Sequence, residues 1–133
     1  MLLGLDTGIF ISHHNQTPRA LAIWNEYAAG EHVLVISTLS LNELFTYFIK
    51  RSLIGIAEEW LYQMRTATNI RLVNVSPEIA AQTARYRLGL QLPTVDAIIL
   101  TTFLLHRCDL MITTDSHFQV IQQPNLIPVE YLT

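Results

Sequence analysis

Asp6, Glu43, Asp96 and Asp115 are widely separated along the chain, and each sits in an apolar or hydroxyl-rich setting: LLGLDTGIF, LSLNELF, LPTVDAIIL and MITTDSHF. Taking a lone carboxylate out of water costs several kcal/mol unless it is paired, hydrogen-bonded or metal-bound. Too few basic residues lie nearby to pair all four. A hard divalent cation that prefers oxygen ligands would resolve the conflict, so these four acids are candidate metal ligands. Each also has a plain structural reading. Asp6 and Asp115 could start a turn or cap a helix, and Asp96 could complement a helix dipole. Asp96 fits that reading least, because Ile99, Leu100 and Phe103 follow at three, four and seven residues and turn its face toward the core. Glu43 lies opposite a Leu41/Leu44/Phe45/Phe48 stripe, where its spacing suits a solvated face or a cleft wall.

The elements that must position these acids alternate in type. Apolar runs at 2–6, 33–36, 70–75, 110–114 and 126–129 read as strands. Helices are expected from Thr17-Pro18 to about Ala29, from Ser37 to Lys50, over 54–66, from Ser76-Pro77 to near Gly89, and from Thr94 to about Arg107. Strands that are apolar throughout rather than alternating belong to a parallel sheet covered on both faces. Asp6 and Asp115 then fall at the carboxyl ends of strands, where open α/β sheets build their ligand sites. Asp96 opens the last helix.

Composition narrows the class. With 133 residues and half of them apolar, the chain makes one domain spanning 1–133, with no linker, repeat or low-complexity tract. No apolar stretch approaches the length of a membrane span, and residues 1–5 are too short for a signal-peptide core. A cytoplasmic setting is expected, in keeping with a single cysteine, Cys108, read as a packed small residue. The net charge of −3 argues against a general polyanion-binding surface, while leaving room for an acidic centre with a basic rim. Lys50, Arg51, Arg85 and Arg87 are the candidate rim cations for a nucleic-acid backbone. His13-His14 reads as part of a polar loop, His117 as a neighbour that orients the Asp115 loop, and Trp24, Trp60 and Tyr62 as core or interface anchors.

In order and spacing, the segments LDTGIFI, SLNELF, LPTVDAIILTTFLL and DLMITTDSHF together resemble the PIN-domain family, and within it the small VapC-type toxins of toxin-antitoxin pairs. The resemblance runs nearly end to end. It implies a three-layer α/β/α sandwich around a central parallel sheet. It also implies that Asp6, Glu43, Asp96 and Asp115 bind Mg²⁺ or Mn²⁺, with hydroxyls at Thr7 and Thr114 steadying the cluster. Gly8 departs from the pattern, since relatives often carry serine there. The implied activity is metal-assisted hydrolysis of RNA leaving a 5′-phosphate, with a cognate antitoxin as partner. The alternative is a catalytically silent PIN-like module that binds RNA or protein. A haloacid-dehalogenase-type phosphatase would need a second Asp where Gly8 stands, and a receiver domain would need adjacent acids at the first strand. The positive mean hydropathy points to an apolar surface closed by a homodimer or an antitoxin.

Overall fold

The computed structural model describes residues 1–121 and 125–132. In chain order the elements are β1 (Leu2–Leu5), α1 (Gly8–His14), α2 (Pro18–Ala28), β2 (Val33–Ser37), α3 (Thr38–Lys50), α4 (Ile54–Thr66), β3 (Ile70–Val73), α5 (Pro77–Leu90), α6 (Thr94–Leu105), β4 (Leu110–Thr113), a 3-10 segment (Ser116–Ile121) and β5 (Val129–Tyr131). The strands form one sheet in the order β3-β2-β1-β4-β5, and every neighbouring pair is parallel.

The pleat sorts the apolar strand residues into two cores. Leu3, Leu5, Leu34, Ile36 and Ile112 face one side, where they meet Phe10, Ile23, Leu44, Phe48 and Trp60 from α1 to α4. Val35 and Met111 face the other side and meet Ile99, Leu100 and Phe103 of α6. The result is the expected three-layer α/β/α sandwich. Two cores fed by one sheet explain why the strands read as continuous apolar runs.

Local signals set the helix starts. Ser37 and Ser76 accept hydrogen bonds from Leu39 N and Ile79 N, and Pro18 and Pro77 occupy the first helical turns. Two expectations are corrected and a third is divided. Residues 8–14 form a helix instead of opening into a polar loop: Ile9 and Phe10 are buried, and His13 and His14 lie edge-on to Trp60 and Phe48. Seven residues are too few for a helical period to register in sequence. The last strand begins at Val129 because Pro128 has no N–H to give a ladder, so the 126–129 run enters the sheet only at its end. Trp60 is a core residue and Trp24 packs on it, whereas Tyr62 is 69 % exposed on α4 and anchors no core.

No single helix among the described residues is long and apolar enough to cross a membrane.

Candidate metal centre

β1 is the point at which the chain changes direction through the sheet. The path from β1 through β2 to β3 builds one half, and the crossover from β3 to β4 places the rest on the opposite side of β1. In such sheets the carboxyl ends of the strands flanking the switch form a crevice. Asp6 follows β1 and Asp115 follows β4, and these strands are neighbours in register, Leu5 opposite Ile112. Asp6 N also donates to Ile112 O at 3.1 Å, which carries the pairing one residue past the strand.

The Asp6 side chain is fixed on both oxygens. Thr7 N donates to Oδ1 at 2.7 Å and Thr113 Oγ1 donates to Oδ2 at 2.8 Å. The Thr113 hydroxyl in turn accepts from Asp115 N at 2.9 Å. One buried hydroxyl therefore ties the two strand-end acids together. Burial pushes the Asp6 carboxyl above the usual range, the two hydrogen bonds pull against this, and the charges of Asp115 and Asp96 push further upward.

The other two acids arrive on helices. Glu43 lies on α3, directly after β2, and it shares an open cleft of about 660 Å³ with Asp6, Thr7, Gly8, Thr114 and Asp115. Its face is thus a cleft wall. Desolvation, followed by the charges of Asp6, Asp96 and Asp115, pushes its carboxyl up to about 7 although the helix position itself is solvent-exposed. Asp96 stands in the first turn of α6, on an adjoining pocket that Glu43 also lines. Its Oδ2 lies 3.0 Å from His117 Nδ1, and that same nitrogen lies 3.1 Å from Asp115 Oδ1. His117 N donates to Asp115 Oδ1 as well, at 2.9 Å. Burial and Asp115 raise the Asp96 carboxyl, and His117 offsets part of the rise.

All four acids thus border one connected acidic region, with His117 as a bridge between two of them. One ligand atom from each of Asp96, Asp115 and His117 can be chosen so that all three lie within 4.8 Å of one another. The donor chemistry fits a hard divalent cation: carboxylates held close despite mutual repulsion, and a buried Thr7 Oγ1 that has no hydrogen-bond partner among the described residues. The hydroxyl that holds Asp6 is that of Thr113, and not that of Thr7 or Thr114 as the resemblance implied. Thr7 contributes its N–H, and Thr114 lines the cleft against Gly8. A Cβ on Gly8 would overlap Thr114 Oγ1, so the glycine at this position is demanded by its neighbour.

Of the rim candidates, Lys50 and Arg51 line the cleft. Arg85 and Arg87 are exposed on α5 and do not. Cys108 is remote from the acids, and burial pushes its thiol up to about 12, which makes it a poor nucleophile.

The sequence pattern of the PIN domain matches residues 4–123, which includes all four acids. The chain belongs to the PIN domain family. Solved structures of similar fold include VapBC2 from Rickettsia felis bound to a promoter DNA fragment, with a TM-score of 0.74, 16 % identity and all of both chains covered. A toxin-antitoxin complex from Klebsiella pneumoniae gives 0.70 and 24 %, covering 88 % of this chain and 90 % of the other. FitAB bound to a DNA fragment gives 0.70 and 20 %, covering 98 % and 94 %. No curated relative matches in sequence. Within this PIN domain, residue 117 adds to the acids a nitrogen that composition alone could not attach to Asp96, which lies 21 residues earlier.

Proposed function

We propose that this PIN domain is a divalent-metal-dependent endoribonuclease acting as the toxin of a toxin-antitoxin pair. The observation that carries the proposal is the meeting of Asp6, Glu43, Asp96 and Asp115 at the switch point of the sheet, three of them with carboxyls raised by burial and by one another. Acids arranged in this way are poorly placed without a counter-charge and well placed to share one.

Asp6, Glu43, Asp96 and Asp115 would hold Mg²⁺ or Mn²⁺. When bound, such an ion acidifies a water and neutralises charge building on the phosphate. The chain's own residues do the rest. Thr113 and Thr7 N–H hold the Asp6 carboxylate in one orientation, so little rearrangement is needed when the site fills. His117 holds Asp96 beside Asp115. Lys50 and Arg51 supply positive charge at the other end of the cleft, where the phosphodiester backbone would lie. Hydrolysis would leave a 5′-phosphate and a 3′-hydroxyl. The toxin assignment draws on the similarity to the solved VapBC2 and toxin-antitoxin complexes, and a homodimer that also binds a cognate antitoxin is the assembly we propose.

Asp96→Asn removes a charge with little change of volume. It is expected to abolish Mg²⁺-dependent RNA cleavage with an unaltered circular dichroism spectrum, and to weaken Mn²⁺ binding in calorimetry. Activity of the parent protein should vanish in chelator and return with Mg²⁺ or Mn²⁺ better than with Ca²⁺, whose looser coordination fills the site without aligning the attack. Cleavage that persists in excess chelator would overturn the mechanism, and salt-sensitive RNA binding with no cleavage would leave the silent module.

A further inference from the structure

The cleft is acidic at one end and built differently at the other. α3 and its cap residue carry Glu43, Tyr47 and Arg51 at every fourth position, so the three follow one another down one face. At 1.5 Å per residue, Tyr47 lies about 6 Å and Arg51 about 12 Å beyond Glu43. The Arg51 guanidinium carbon sits 3.5 Å above the centre of the Tyr47 ring. Arg51 Nη1 also donates to the Tyr47 carbonyl oxygen at 3.0 Å. A guanidinium carbon this close above the ring centre rests on the ring face, and Arg51 is exposed at the cleft.

No carboxylate competes for this group. Among the described residues Arg51 has no acidic partner within ion-pair distance, unlike Arg19, which holds both Glu26 and Glu130. Both Tyr47 and Arg51 line the cleft. A contact needed only for phosphate charge gives no reason to pin a guanidinium flat on a ring, and Lys50 next door already offers a mobile point charge to the same cleft.

We infer that the Arg51–Tyr47 stack is a nucleobase platform: an unpaired base of the RNA strand lies flat on the outer face of the guanidinium while the acidic end holds the cleavage position. The inference rests on the ribonuclease reading of that acidic end. Every base has a π-face, and guanidinium planes stack on it without regard to sequence. At about 3.4 Å per stacked nucleotide, the platform lies on the order of two to four nucleotides from the metal ligands. Bases within a duplex are already stacked on both sides, so the platform selects single-stranded RNA.

The test uses single-stranded RNA dodecamers carrying 2-aminopurine at successive positions, bound to the Asp96→Asn protein so that they stay intact. Fluorescence should change on binding at one or two adjacent positions only. Adding Arg51→Lys, which keeps the charge and removes the plane, should lower affinity about tenfold and erase that change. The salt slope of binding should stay the same, because the charge count does. Tyr47→Phe, which keeps the ring, should retain the signal. An Arg51→Lys protein that binds and alters fluorescence like its parent overturns the platform, as does an absence of any position-specific change. The ribonuclease reading fails separately: a parent protein, with Asp96 intact, that leaves RNA uncut in Mg²⁺ and Mn²⁺ sinks it, even where the base-specific signal is present.

Discussion

Glu43 is the residue through which pH should act most directly on this protein. Its carboxyl stands at about 7, against 4.5 for an ordinary glutamate, because of burial first and the neighbouring carboxylates second. Between those two values the native state keeps a proton that the unfolded chain has released, so stability falls as pH rises through this window. Solvent around the exposed side chain screens the effect to on the order of 1 kcal/mol. Glu43→Gln is neutral throughout, and urea unfolding of metal-free protein should therefore lose less stability between about pH 5 and pH 8 in the variant than in the parent. Mg²⁺ affinity of the parent should rise over the same window as the proton leaves. Equal pH slopes in the two proteins would remove Glu43 as the source. The acids themselves were legible in sequence because a charge in an apolar segment stands out before any fold is known. Thr113 was not, since two adjacent threonines at a strand end point opposite ways, and only the register of β4 against β1 decides which one reaches Asp6.

At the scale of elements, β1 and α6 pack closely. Gly4 sits in the central strand, between Val35 and Met111 of its neighbours, and a Cβ there would come within 2.5 Å of the Phe103 ring. Phe103 is fully buried and has no room to retreat. Gly4→Ala is therefore expected to destabilise the protein by about 1–3 kcal/mol, seen as a lower urea midpoint at unchanged slope; an unchanged midpoint would mean that α6 can slide. α6 also carries Asp96 in its first turn, so a shift of the whole helix in the variant should weaken metal binding as well. Sequence revealed the strands and the five longer helices because their apolar periods span three turns or more, or run unbroken through a strand buried on both faces. It missed α1, whose seven residues make only two turns, and it missed the 3-10 segment that swings His117 back onto Asp96. Those two pieces are held by tertiary contacts rather than by local pattern.

For the molecule as a whole, the apolar residues Trp24, Leu53, Ile54, Trp60 and Leu61 are candidates for a self-associating surface, and the fold divides that set. Trp60 is buried in the core, and Trp24 and Leu61 are half-covered. Leu53 and Ile54 remain exposed, and Ile49 joins them at the turn between α3 and α4. Three adjacent apolar side chains on one helical corner are more than scattered exposure, because burying each would release apolar area at about 25 cal/mol per Å². None of the three lines the cleft, so a second copy seated there would leave the acids uncovered. Light scattering at tens of micromolar should give a dimer, and Ile49→Lys combined with Ile54→Lys should give a monomer that still binds Mn²⁺ with the affinity of the parent, since neither residue touches the acids. A parent protein that runs as a monomer at that concentration would remove self-association and leave the exposed corner to an antitoxin. A dimer that survives both substitutions would place the contact on another face.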